Sequence, residues 1–291
     1  MKLIKPSYEI IEQTSGIEGV YKQIELAGRI CYKSEDKITE NSAKDFVDRM
    51  IASKHLAMCE HGTLYFKIPT NTSDISNFLD EVPIWTKCRL VESKDDDWWA
   101  ISTNLRVMVE HFAPEYIEDL IEKYLCEPTE YHEKRITVKF IADIGVIREF
   151  FRHRVFSMAQ ESTRYCNYNK NKFNNELTFI IPAWCDIPNN PTEHDLKTIW
   201  GKHGSFEERF LMNCLIVEAH YKELIEHGYQ PQQARCVLPL SLKSEAVMTG
   251  FVSDWKHFFD LRSIGITGAP HPQAKELAEP LMNEFKKLNY I

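Results

Sequence analysis

The first clear pattern in the chain is helical: Ile17, Val20, Ile24, Ala27 and Ile30 recur every three or four residues, which predicts a half-buried helix over 17–31. A second helix is expected over 42–54, where Phe46, Met50 and Ile51 share one side and Ser42 and Asp45 have capping-box spacing. Thr63 to Ile68 reads as a strand. From about 69 to 135 the pattern breaks up. Asn71 to Asp74 and Asp95 to Asp97 mark loops, Trp98 to Val109 holds a strand, and Pro114 to Leu125 is helical, so this stretch reads as a surface insertion of hairpin and helix.

Ile136 to Phe140 alternates like a strand and leads into an apolar run ending at Phe151, with Asp143 placed to cap a helix there. Phe179 to Pro182 is a short strand, and 189–204 reads as loop. Ser205 and Glu208 have capping-box spacing ahead of Phe210, Cys214, Val217, Tyr221 and Leu224, one face of a long helix that Gly228 should end. Pro231 opens a short helix, and Ser253 to Arg262 is a capped amphipathic helix with aromatic residues inside.

Composition narrows the class. The 291 residues are 43% hydrophobic, enough for a sizeable core. No apolar run approaches membrane-spanning length, and residues 1–6 lack the apolar stretch of a signal peptide, so a cytoplasmic protein off the membrane is expected. Eight cysteines occur without a C-x-x-C pair, which argues for buried thiols and against disulfides or a zinc ribbon. A net charge of -8 opposes binding to nucleic acid. Neither G-x-G-x-x-G nor G-x-x-x-x-G-K-[ST] is present, and no G-x-S-x-G elbow supports a hydrolase serine.

Two stretches carry candidate chemistry. Arg152-His153-Arg154 opens a segment that continues through Gln160, Glu161, Ser162, Thr163 and Arg164. Cations at a helix C-terminus are favoured by its dipole, but that explains one arginine and not the cluster. Arginine forks suit phosphate or carboxylate, and the neighbouring amide and hydroxyls suit a base or sugar, so we read an anion-binding site. The other stretch is His55, Glu60 and His61. These are metal-ligand types, yet their spacing fits no helical H-E-x-x-H pattern and a third histidine would have to come from far away. Capped-loop histidines with structural duties are the simpler reading, and no metal is expected.

The arginine segment, Arg152-His153-Arg154 followed after seven residues by Ser162 and then Arg164, resembles the RHR-x7-S signature of the flavin-dependent thymidylate synthases (ThyX). His55, Glu60 and His61 resemble the family's H-x-x-x-x-E-H stretch, Ala234-Arg235 before Val237-Leu238-Pro239 its A-R-x-V-L-P stretch, and Leu261-Arg262 its substrate-activating arginine. The resemblance covers about 27–262, apart from the insertion. It implies an α+β fold, one mixed α/β domain with a central sheet flanked by helices, assembled as a homotetramer with sites shared between subunits. It also implies methylation of dUMP with methylenetetrahydrofolate as one-carbon donor and NADPH reducing a bound FAD.

Residue by residue, the resemblance places His55, Glu60, His61, Arg152, His153, Arg154, Gln160, Ser253 and His257 at the FAD. It places Glu149, Arg152, Gln160, Glu161, Ser162, Thr163, Arg164, Arg235 and Arg262 around dUMP, with Arg262 and Ser162 as the catalytic positions. The sequence departs from the family pattern at four points. Ala57 replaces a common threonine, Phe251 and Ser253 stand where Asn-x-Arg is usual, and His257 replaces an asparagine. Two other readings stay open: a dUMP hydroxymethylase of the same fold, and an inactive nucleotide-binding homologue.

Overall fold

Alternation along residues 135–143 sets the centre of the fold. In the computed structural model, which describes residues 1–83, 87–93 and 97–291, the elements run β1 (Lys2–Ile4), β2 (Ser7–Ile11), α1 (Gly16–Tyr32), α2 (Ser42–Ala52), β3 (Thr63–Pro69), α3 (Ser73–Glu81), β4 (Arg89–Glu92) and β5 (Trp98–Asn104). They continue with α4 (Leu105–His111), α5 (Pro114–Tyr124), β6 (Arg135–Asp143), α6 (Ile144–Phe150), β7 (Ser157–Gln160), β8 (Thr178–Ile180), α7 (Glu193–Trp200) and α8 (Phe206–Glu226). The chain ends with α9 (Pro231–Ala234), β9 (Lys243–Phe251), α10 (Val252–Phe259) and α11 (Pro272–Lys287).

The fold is mixed α/β, as expected, and its described strands form three sheets. A four-stranded antiparallel sheet, β2-β6-β9-β7, lies at the centre, beside β3-β5-β4 and the parallel pair β1-β8. One face of the central sheet presents Val138, Phe140, Ala246 and Met248 to an aromatic core built from α6, α10 and α11. Because β-strand side chains alternate, the other face carries Arg135, Thr137, Ser157 and Thr249, with Ala159 and Val247 packed on α1. That polar face meets Glu60 and His61, whereas Glu149, His153 and Arg262 lie on the side of α6 and α10.

Local chemistry explains most elements and several departures. Asp143 accepts from the Val146 N–H at 2.8 Å, capping α6 as its position predicts. Ser42 does not form the expected box. Its hydroxyl donates to Glu25 at 2.8 Å instead, and α2 starts from Asn41. Ser73 and Asp74 open α3 where loop was expected, residues 105–111 turn from strand into α4, and α7 occupies the expected loop at 189–204 behind a Thr192–Asp195 capping box. The α10 N-cap is Phe251, two residues ahead of Ser253, with Asp254 accepting from the Phe251 N–H. Asp95 and Asp96 lie outside the described residues, while Asp97 sits before β5 at φ 49°. The 69–135 stretch contributes Phe78, Ile101, Leu105 and Met108 to a core shared with Val20, Ile24 and Phe46.

Candidate active site

The basic triplet rides on two tight turns between α6 and β7. Arg152 N–H donates to Glu149 O, His153 N–H to Phe150 O, and Phe156 N–H to His153 O. This geometry buries His153 against the Phe258 ring, 5.1 Å between centroids, and leaves Arg152 and Arg154 exposed on either side. Arg262 arrives from the opposite direction on a π-helical turn, Asp260–Ile264, which continues α10 and ends at Gly265 with φ 80°. A left-handed residue there favours glycine.

Arg262 is held by three donated hydrogen bonds. Its Nη1 meets Glu149 Oε2 at 3.0 Å, its Nη2 meets Glu149 O at 2.8 Å, and its Nε meets His153 Nε2 at 3.1 Å. His153 must therefore present a lone pair at Nε2 and carry its proton on Nδ1. Burial, and then the charges of Arg262, His257 and Arg152, push its pKa down to about 4. It is neutral at pH 7. A guanidinium has five N–H donors, so Arg262 keeps two for a ligand. The surrounding cleft, about 580 Å³, is lined by Glu149, Arg152, His153, Arg154, His257 and Arg262 among others.

At the other end of β7, roughly 13 Å along the strand, lies a more open ledge. Ser162 is half-buried, and its hydroxyl accepts from the Arg164 N–H at 3.3 Å. Arg235, exposed just after α9, donates from Nη1 to Thr163 Oγ1 at 3.2 Å, while Arg164 lies over the Tyr165 ring at 5.1 Å. Gln160 donates to Ser244 Oγ at 3.0 Å. Glu161, expected at the ligand, is instead turned inward. One carboxylate oxygen takes the Tyr168 hydroxyl at 3.1 Å and the other Lys243 Nζ at 2.8 Å, and the residue is 3% exposed.

The third group surrounds Glu60. Lys87 and Arg106 pair with its two carboxylate oxygens, the latter at 2.7 Å, and Lys87 also donates to Phe156 O at 2.8 Å, two residues after the basic triplet. Burial works against the Glu60 charge, but Lys87, Ser157 and Arg106 outweigh it and hold the carboxyl below its usual range. Behind it Arg135, 7% exposed, donates to Glu60 O and Ser157 Oγ. Gly62 permits the close approach of this loop to α1, since a Cβ there would lie 2.6 Å from Ile24 Cδ1.

His55, Glu60 and His61 do not converge. His55 is exposed, whereas His61 is fully buried, with Nδ1 2.9 Å from Thr249 Oγ1. Burial drives the His61 pKa down to about 3, so the ring is neutral at pH 7, and its Nε2 is buried with no hydrogen-bond partner among the described residues. Ser253 is exposed, with its N–H on Glu133, and Arg89 covers the Phe251 ring at 4.5 Å. Among the described residues, no group of three His, Cys, Asp or Glu side chains is placed to hold a metal.

Sequence reasoning missed Lys87 and Arg106 as partners of Glu60, and Lys33, Lys139 and Lys243 around buried Glu245. The i,i+4 pair of Arg106 with Glu110 was the one available signal, and it points to a helix where a strand was expected.

The description "Thymidylate synthase complementing protein" belongs to the family whose sequence model matches residues 86–289, well over half of the chain. A flavin-dependent thymidylate synthase of Pyrococcus abyssi is 29% identical over 139 residues, 48% of this chain and 49% of that protein. The chain thus spans about half the length of that relative. A protein of the same name from Thermosipho africanus is 29% identical over 184 residues, covering 60% of this chain and 76% of its own length. Among solved structures, the UMP/dUMP methylase PolB of Streptomyces cacaoi bound with 5-Br dUMP aligns over 99% of this chain and 93% of its own, at 15% identity and a TM-score of 0.45. A likeness that low bears no weight here. The extent of the family match decides the matter, and the chain belongs to the thymidylate synthase complementing protein family.

Proposed function

We propose that the protein is a flavin-dependent thymidylate synthase, methylating dUMP to dTMP with methylenetetrahydrofolate as one-carbon donor and NADPH as reductant. The observation that carries this reading is Arg262, a half-buried guanidinium fixed by Glu149 and neutral His153 with two N–H groups still to donate. Set against the edge of a uracil ring, such a cation stabilises negative charge developing on the ring and makes C5 a better nucleophile. Among the described residues Arg235 has only Thr163 as a side-chain partner, so most of its fork is available for the nucleotide phosphate. Ser162 would bind the nucleotide and not attack it, because among the described residues no side chain within hydrogen-bonding distance is poised to take its proton.

The residues present fit a flavin dinucleotide in charge and exposure. Arg152 and Arg154 stand exposed at the Arg262 cleft beside His257, as a pyrophosphate requires, and Lys87 and Arg106 extend the positive surface past Glu60. When bound, FAD would supply the hydride. The separation of the Arg262 cleft from the Ser162 ledge along β7 favours a site completed by a second copy of the chain, within a homotetramer. Product analysis with dUMP, methylenetetrahydrofolate and NADPH, beside the flavin absorbance of the purified protein, tests the whole reading. A hydroxymethylated product, or tight dUMP binding without turnover, would replace it. The second of these draws support from Phe251 and Ser253, where Arg89 and Glu133 fill a corner that the family pattern gives to Asn-x-Arg.

A further inference from the structure

Helix α8 is apolar on two sides. Leu211, Cys214, Val217 and Tyr221 face the core, whereas Met212, Ile216 and Ala219 form a second stripe that the chain leaves uncovered. Met212 is 45% exposed and Ile216 48%, with Leu215 beside them at 40%. The stripe ends in opposite charges at helical spacing, Arg209 on one side and Glu223 on the other, each exposed. Among the described residues neither side chain has an ion-pair partner.

The sequence along this stripe is self-complementary. A twofold axis through Ile216 sets Arg209 opposite Glu223 of the second copy, both seven residues away, or about 10 Å along the helix. The same axis sets Met212 against His220 and Glu208 against Leu224, and no like charges meet. Two shallow grooves flank the stripe. One, about 390 Å³, includes Glu208, Arg209 and Met212, and the other, about 350 Å³, includes His220, Glu223 and Leu224. The axis exchanges them. We propose that α8 is an isologous interface on which two copies of this chain pair through antiparallel α8 helices, centred on Ile216 and closed at each end by an Arg209–Glu223 ion pair. The inference deepens the assembly part of the function proposed above, but a protein without that chemistry would pair in the same way.

The test is solution mass by sedimentation equilibrium on the full chain, with circular dichroism to confirm folding. Ile216→Asp should halve the mass, weakening association by at least about a hundredfold. Arg209→Glu and Glu223→Arg should each weaken it by about tenfold, and the double variant should return it to within about threefold of wild type. A monomeric wild type, an Ile216→Asp protein of unchanged mass, or a double swap no better than the singles would overturn the proposal. Because Arg209 and Glu223 are both exposed, the swap remains decisive even where Ile216→Asp fails to fold. Flavin content reports separately on the function: an assembled protein without flavin refutes the synthase reading alone, and a monomer that retains flavin refutes the interface.

Discussion

Arg262 and Arg235 bear the same side chain, yet the first commits three N–H groups to Glu149 and His153 while the second commits one, to Thr163. Their surroundings differ in the same direction. Arg262 is half-buried against a neutral histidine, and Arg235 is exposed beside a hydroxyl. A fixed cation in a low-dielectric cleft costs little reorganisation when charge develops nearby, whereas a free one on a ledge adapts to a ligand that is already charged. On the proposed reading, the difference teaches that a fixed arginine suits a transition state and a free one suits capture.

Removing each arginine should separate the two roles. On the proposed reading, Arg262→Ala has the largest effect, lowering single-turnover product formation by about 3–4 kcal/mol with little change in dUMP affinity. Arg262→Lys should recover only part, since an ammonium cannot bridge Glu149 and His153 in a planar fork. Loss of flavin alone, with chemistry intact on re-addition, would move Arg262 to the cofactor. Arg235→Ala should do the reverse, weakening dUMP binding by about 1.5–3 kcal/mol in titrations of the flavin spectrum while bound substrate still turns over. Unchanged affinity would remove the ledge from the phosphate.

Smaller effects sharpen the contrast. Ser162→Ala should cost about 1–2 kcal/mol of nucleotide binding and leave measurable synthesis. An inactive variant with wild-type affinity would instead make the hydroxyl a nucleophile. The last expectation concerns His153, followed by NMR of its ring protons. Its native pKa of about 4 lies below the ordinary value of 6.5, so on acidification the unfolded chain takes the proton first. The stability it contributes is complete above pH 6.5 and is lost as pH falls through 4. Arg262→Ala should move that pKa upward, because one of the charges opposing protonation is gone. A titration unchanged by the substitution would mean that burial and the charges of His257 and Arg152 set it without Arg262.

Elements with a single exposed and a single buried side were legible in the sequence. Ile17 to Ile30 and Pro114 to Leu125 give α1 and α5 directly, and Asp143 marks the start of α6. β9 was not, although it is central. Lys243 to Phe251 shows no alternation because the strand is covered on both faces, and its Lys243 and Glu245 are matched inside the protein by Glu161, Lys33 and Lys139. α11, which locks Asp143 through Gln273, likewise carries no candidate chemistry to draw attention.

What the sequence determined by itself is therefore the set of chemical groups and their local carriers: the arginine triplet at the end of a capped helix, Arg235 after a proline-started turn, and Arg262 at the end of an aromatic helix. Spacing along the chain is enough for that, since caps, turns and helical faces are interactions among near neighbours. Only the tertiary structure decided which groups remain available. Glu161 and His61 have the same motif credentials as Ser162 and Glu60, but in the folded chain Glu161 meets Lys243 and His61 packs on Thr249, both from β9. The reason is that the groups meeting each side chain, Lys243 for Glu161 and Thr249 for His61, are contributed by segments far away in sequence.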